Sequence, residues 1–253
     1  MSLICIRLAL ILPFISYFCS IALTMKKNKS CDLQTCFMCK LSLQEWHPAI
    51  ASHKQNFIAK KGELIIKEGD PVTGVYFVTS GNVKVHKKWG DKELILRFAN
   101  NGAILGHRGI ASNLSFYPIS ATALETTTVC FVPIDFFKTT LKVNNDFAYG
   151  MLMFYADELN ASEKKMRNLA LMSVKSRLAV ALLSLRDQFG LNADDCLNLD
   201  LSRQDLAAYT GATYETVFRT MNELIAEKLI VLKGKMISIL NEEGLTDLSN
   251  QVK

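Results

Sequence analysis

LSRQDLAAYTGATYETVFRTMNELIAEKLIVLKGKMISIL, residues 201–240, reads as two short helices joined by a tight bend and followed by a hairpin. Ser202 with Asp205 three residues later is a helix start in which side chain and backbone cap one another. A turn and a half further on, Gly211 stands where a helix-to-helix bend needs a residue tolerant of positive φ. Thr213 can cap a second helix, expected to run to about Lys228. Leu206, Ala207, Val217, Met221, Leu224 and Ile225 fall on the inward faces of the pair. Tyr214, Glu215, Phe218, Arg219 and Asn222 recur on the outer face at steps of three and four. Leu229–Leu232 and Met236–Leu240, on either side of Lys233, Gly234 and Lys235, complete a β-hairpin wing with a basic tip.

A winged helix-turn-helix of this kind presents its second helix to the major groove of double-stranded DNA. There Arg219 would meet O6 and N7 of a guanine, Glu215 would accept from a cytosine amine, and Lys233 and Lys235 would touch phosphates. Ser202, Arg203, Thr213, Tyr214 and Phe218 complete the expected contact surface. Each good base contact discriminates by about 1–3 kcal/mol. The competing reading is that Glu215 and Arg219, four residues apart, simply pair on a solvated face for about 0.2–0.5 kcal/mol.

Upstream, Val174 to Phe189 forms an amphipathic helix that stops at Gly190. Before it, from Asp146, Leu152, Tyr155, Leu159, Ser162, Met166 and Leu169 step by three and four along one long helix. Such a seam asks for a partner helix, most simply that of a second copy; packing on the chain's own β-domain is the alternative. Glu158, Glu163, Lys164, Lys165 and Arg167 fall on the polar remainder of that helix. Between Phe57 and Pro133 the period changes to two. Strands are expected at Glu63–Lys67, Val75–Thr79, Val83–His86, Leu94–Phe98, Ser120–Leu124 and Thr127–Val132. Of the 13 glycines, 8 lie between Gly62 and Gly109, where they punctuate these strands. Many short strands at this spacing make an antiparallel sandwich or jelly roll able to enclose a small ligand.

With 253 residues, 49% hydrophobic and 21% charged, the chain suits two globular domains rather than a disordered or multi-span one. Of its net charge of +5, Arg7, Lys26, Lys27 and Lys29 carry 4 within an acid-free stretch, so the remainder is near neutral and bulk charge says little about a polyanion partner. Residues 8–24 are a 17-residue apolar run. It reads as an extension ahead of a true start at Met25, a membrane anchor, or a cleaved signal. Seven cysteines, an odd count without dense spacing, point to a reducing compartment and hence the cytoplasm. No Ser-His-Asp, phosphate-loop or metallohydrolase spacing appears, so an enzyme is not expected.

KGELIIKEGD at 61–70, VYFVTSGNVKV at 75–85, the long helix, and the Leu201–Arg219 motif, in that order, resemble the CRP/FNR family of transcription regulators over about residues 40–245. The resemblance implies an α+β fold: an N-terminal antiparallel, jelly-roll-like β-roll, a long dimerisation helix and a C-terminal winged helix-turn-helix. The corresponding division is an apolar extension (1–24), a cysteine-containing segment (25–45), a cyclic-nucleotide-binding-like sensor (46–145), the dimerisation helix (146–172) and the DNA-binding domain (173–253). It further implies a homodimer on palindromic promoter DNA, RNA polymerase as a partner, and a small-molecule or redox effector. Phe218 departs from the small Ser or Gly of well-known members, so the target cannot be copied from them; an aromatic ring there suits a thymine methyl.

The family's cyclic-nucleotide cassette uses a Gly-Glu pair for the ribose and an Arg followed by Ser or Thr for the phosphate. Here Leu105-Gly-His-Arg-Gly109 has no acid after Gly106 and Tyr117-Pro-Ile-Ser-Ala121 no Arg before Ser120, so cyclic AMP is not expected. Arg108 is the remaining candidate for a phosphate. Cys31, Cys36 and Cys39 precede the β-roll, and Ala123 to Cys130 resembles the segment bearing the fourth cluster ligand in the family's oxygen sensor. Those four thiols are the candidate ligands of an iron–sulfur cluster, although C-x4-C-x2-C departs from the sensor's spacing. Zinc suits the same thiolates, and Cys130 alone is an ordinary buried strand residue. For a haem responding to nitric oxide or redox state, the axial candidates are His86, His107, Met151 and Met153, each equally readable as structural. The rival from another class is a membrane-attached cyclic-nucleotide- or metal-binding module that binds no DNA.

Overall fold

The computed structural model describes residues 24–26, 33–111 and 115–250. In chain order the elements are β1 (Thr24–Lys26), α1 (Phe37–Leu41), α2 (His47–His53), β2 (Gln55–Ala59), β3 (Leu64–Ile66), β4 (Gly74–Ser80), β5 (Val83–Trp89), β6 (Lys92–Ala99), β7 (Ile104–Leu105), β8 (Ser120–Ala123) and β9 (Thr127–Pro133). They continue with α3 (Ile134–Val143), α4 (Asn145–Leu171), α5 (Val174–Phe189), α6 (Arg203–Thr210), α7 (Tyr214–Ala226), β10 (Ile230–Lys233), β11 (Met236–Ile239) and α8 (Glu242–Asn250). This is the expected α+β order of antiparallel β-roll, long helix and winged helix-turn-helix.

Two antiparallel sheets, β1-β2-β9-β4-β7 and β3-β8-β5-β6, form the roll. Val78, Val129 and Ala59 of the first sheet and Val83, Val85, Ile66 and Ala121 of the second supply the core between them. The alternation of β-branched and polar residues is what makes these segments strands with one face to bury. Trp89 pairs with Lys92 across a two-residue connection, where Gly90 takes φ +56°. A second apolar cluster joins Phe77, Ile104 and Val132 of the roll to α1–α3 and the start of α4, through Met38, Ile50, Phe137 and Phe147.

Four elements lie outside the expected ones: α1, α2, the edge strand β1 and the ten-residue helix α3. Short helices of this kind carry two turns or fewer of apolar periodicity, too little to stand out from a loop. The break between α3 and α4 is Asn144, extended at φ −121°, whose buried side chain accepts from Leu43 N at 2.8 Å and donates to Thr140 O at 3.0 Å. The apolar run 8–24 falls almost entirely outside the described residues. Among the described residues no helix is long and apolar enough to cross a membrane.

Candidate nucleic-acid interface

The two-helix unit is built as its sequence dictates. Ser202 Oγ accepts from Asp205 N at 3.0 Å and donates to its carboxylate at 2.6 Å, which starts α6. Gly211 ends it in the left-handed region, φ +64°, ψ +41°. Thr213 Oγ1 then accepts from Thr216 N at 3.3 Å and starts α7. Leu206, Ala207, Val217, Met221 and Leu224 pack with Leu178, Leu182 and Leu185 of α5, Ile230 and Ile237 of the wing, and Leu245 of α8. Ile225 is only partly buried at the edge of this cluster. The wing pairs Ile230 with Ile239 and Lys233 with Met236 around Gly234. Helix α7 ends at Ala226, two residues before the expected Lys228, and the turn is completed by Lys228 at φ +57°.

The opposite face of α7 is open to solvent. Thr213, Tyr214, Glu215, Phe218, Arg219 and Asn222 are all exposed, as are Ser202, Lys233 and Lys235; Arg203 is half-buried. Among the described residues no ion pair joins Glu215 to Arg219, so the outward row is not consumed by the self-pairing that the sequence allows. At the wing, Lys233 Nζ donates to Asp194 O at 2.6 Å, which holds that side chain back toward the loop before α6.

Three side chains that sequence reading left on polar faces prove to be joints between this unit and the rest of the chain. Arg177 donates to Thr210 O at 2.8 Å and Gly211 O at 3.4 Å, and also to Leu169 O at 3.2 Å and Met172 O at 3.0 Å. One guanidinium thus satisfies carbonyls at the C-termini of both α4 and α6, where a cation is favoured by the helix dipoles. Lys84 of β5 bonds Asp205 at 2.7 Å and Glu93 at 3.0 Å, all three side chains under 20% exposed. Burial opposes charge on both partners, but their contact prevails: Asp205 is held below the usual carboxylate range and Lys84 above the usual amine. Lys165, predicted on the polar side of the long helix, turns inward instead. Its Nζ donates to Ile95 O at 2.7 Å and Leu96 O at 3.1 Å, and lies 4.1 Å from the centre of the Tyr209 ring on α6. The reason is that β6 is an edge strand whose outer carbonyls need donors. Burial lowers the Lys165 amine to about 8.

These features settle the comparison with known proteins. Residues 58–144 match the cyclic nucleotide-binding domain family and residues 176–248 the Crp-like helix-turn-helix domain family. The transcriptional activator protein FnrA of Stutzerimonas stutzeri is 27% identical over 226 residues, 87% of this chain and 91% of that protein. The fumarate and nitrate reduction regulatory protein of Escherichia coli K12 is 26% identical, covering 77% of this chain and 78% of its own length. The structure of FixK2 from Bradyrhizobium japonicum aligns at TM-score 0.70 and 26% identity, over 79% of this chain and 99% of that one.

The chain belongs to the CRP/FNR family of DNA-binding transcription regulators.

At the place of the family's cassette, the CRP/FNR chain has replaced ligand chemistry with internal pairing. Glu158 of α4, which the sequence placed on the solvated side, reaches Arg108 at 2.8 Å, Arg97 at 3.5 Å and His107 at 3.6 Å. Burial disfavours its charge, yet His107 and the two guanidiniums hold it down to about 2. Arg108, the candidate phosphate ligand, is thereby engaged by a carboxylate. Beside it a cleft of about 550 Å³ opens between β6 and α4, lined by Leu94, Leu96, Arg97, Ser162 and Met166. His86 lies between Glu93 at 2.7 Å and Thr122 at 2.8 Å. Of the other haem candidates, His107 and Met151 are buried and Met153 is exposed.

The seam of α4 divides. Leu152, Leu159 and Met166 are 60% or more exposed, and Tyr149 and Leu171 extend the same unpartnered surface. Tyr155 instead donates its hydroxyl to His107 O at 2.7 Å, and Leu169 packs against the bend at Gly211. Those two therefore serve partly within the chain, because the roll curls under the helix at one end and the DNA-binding unit at the other. Among the candidate cluster ligands, Cys31 lies outside the described residues. Cys39 and Cys130 are buried in the same apolar cluster, with Cys36 packed at its edge. Among the described residues no three His, Cys, Asp or Glu side chains are gathered to hold a metal ion. No step of the function is accordingly routed through a metal.

Proposed function

We propose that the protein is a homodimeric, signal-responsive regulator in which α7 of each subunit reads one half of a palindromic promoter site. The observation that carries this is the open row Tyr214, Glu215, Phe218 and Arg219, raised on a capped helix immediately after a left-handed bend. The exposed residues of α4 support a second copy as the partner of that helix, which would set two α7 helices about one DNA turn, roughly 34–36 Å, apart. Ser202, Arg203, Thr213 and the wing residues Lys233 and Lys235 are the proposed phosphate-side contacts, and Arg219 and Glu215 the base contacts. RNA polymerase is the further partner at the promoter, and the cytoplasm the compartment.

The signal we assign is redox state or nitric oxide rather than cyclic AMP. In support, Glu158 already occupies the guanidinium that a cyclic phosphate would use, and relatives are named for fumarate and nitrate reduction and for electron transport. The proposed route runs from the roll through α4 to α6, by way of Lys165, Lys84–Asp205 and Arg177. A membrane-attached module without DNA binding is the weaker reading, since nothing in it requires the open face of α7.

The test is electrophoretic mobility shift of the full chain on a duplex enriched from a random-sequence library, comparing wild type with Arg219→Ala. Loss of a guanine contact worth about 1–3 kcal/mol weakens binding by about 5- to 150-fold. Equal binding by the two proteins removes Arg219 from the interface.

A further inference from the structure

Resting on the DNA-binding reading, we infer that Tyr214 and Phe218 form a two-ring apolar reader that recognises thymine methyl groups spaced about two base steps apart in each half-site. Nothing in the general requirement for a recognition helix calls for it. The two rings lie one helical turn apart at the N-terminal end of α7, 6.3 Å between centroids and within 14° of parallel. They remain 44% and 52% exposed, while Val217, Met221 and Leu224 of the same helix are fully withdrawn. Two large aromatic side chains in water on the half of the helix that enters a groove are an unfilled binding surface.

The chemistry of the occupant follows from the groove. Among base edges in the major groove, the thymine C5-methyl is the apolar feature; the other groups are hydrogen-bond donors and acceptors. A phenyl ring offers no hydrogen bond to any of them. The spacing agrees: 6.3 Å is close to two base steps of about 3.4 Å each. Glu215 and Arg219 form the adjoining row one residue round the helix, so polar and apolar readers stand side by side. Arg219 then recognises guanine while the ring pair fixes the thymines beside it, and the target differs from that of relatives with a small side chain at the position of Phe218.

The experiment enriches duplexes from a random library with the full-length protein, then replaces each thymine of the enriched duplex by deoxyuridine, which removes the methyl and keeps base pairing. For wild type, two positions about two steps apart in each half-site should prove methyl-sensitive. Each methyl should account for about fourfold in affinity, hence about sixteenfold when both symmetric half-sites are altered. Phe218→Ser should abolish the sensitivity at one of the two positions and Tyr214→Ala at the other, while both retain binding through Arg219 and melt as wild type does, because these side chains lie outside the core. Uracil duplexes bound as tightly as thymine ones, or sensitivity unchanged in both variants, would overturn the inference and leave the rings to a protein partner. A library from which no sequence is enriched overturns the DNA-binding reading itself, and the methyl reader with it.

Discussion

At Gly211 a single hydrogen atom decides whether the DNA-binding unit can bend. Its φ of +64° is disfavoured for side chains with a Cβ, and a Cβ there would fall 2.4 Å from Leu169 Cδ2 of α4. Gly211→Ala should cost about 1–3 kcal/mol in chemical denaturation, with DNA affinity falling as the bend is displaced. Lys165 makes a prediction in pH. Its amine is lowered to about 8, against about 10.4 in an unfolded chain. Below pH 8 it is charged in both states and the cost of burial is fully present. Between pH 8 and about 10.4 the unfolded chain holds a proton that the folded one has released, so stability rises with pH. Thermal melts of wild type against Lys165→Met should show wild type gaining about 1–3 kcal/mol relative to the variant across that window. Parallel pH profiles would place the amine in solvent.

At the scale of elements, periodicity announces a face but not what comes to cover it. The bend at Gly211, the caps Ser202 and Thr213, the extent of α5 and the strands of the roll were legible because each rests on residues within one helical turn or one hairpin. Glu158, Lys165 and Arg177 were not, since their partners are carbonyls and guanidiniums brought from other elements by the fold. In α4 the same limitation divides the apolar seam, with Tyr155 and Leu169 turned to the chain itself and Leu152, Leu159 and Met166 left outside. The double substitution Leu152→Glu and Leu159→Glu should therefore leave the monomer folded, as both side chains are already exposed, yet shift sedimentation from dimer to monomer. A monomeric wild type, or a dimer indifferent to both charges, would refute α4 as the interface.

Across the whole molecule, sensor and reader share one apolar cluster: Ile95, Phe98 and Leu124 of the roll pack with Leu206, Ala207 and Ala208 of α6. Lys84–Asp205 and Lys165–Tyr209 reinforce that contact with charge, and Arg177 fastens it to the end of α4. A shift of α4 relative to β6 is in this way a shift of α6, and α7 follows across its fixed bend. In a symmetric pair, such coupling re-aims two reading heads at once. The most direct measurement is hydroxyl-radical footprinting of full-length protein on its enriched duplex. Two protected patches related by a dyad, with centres about 10 base pairs apart, are the predicted result. One unpaired patch, or an Arg219→Ala footprint identical to that of wild type, would contradict a dimer reading DNA through α7.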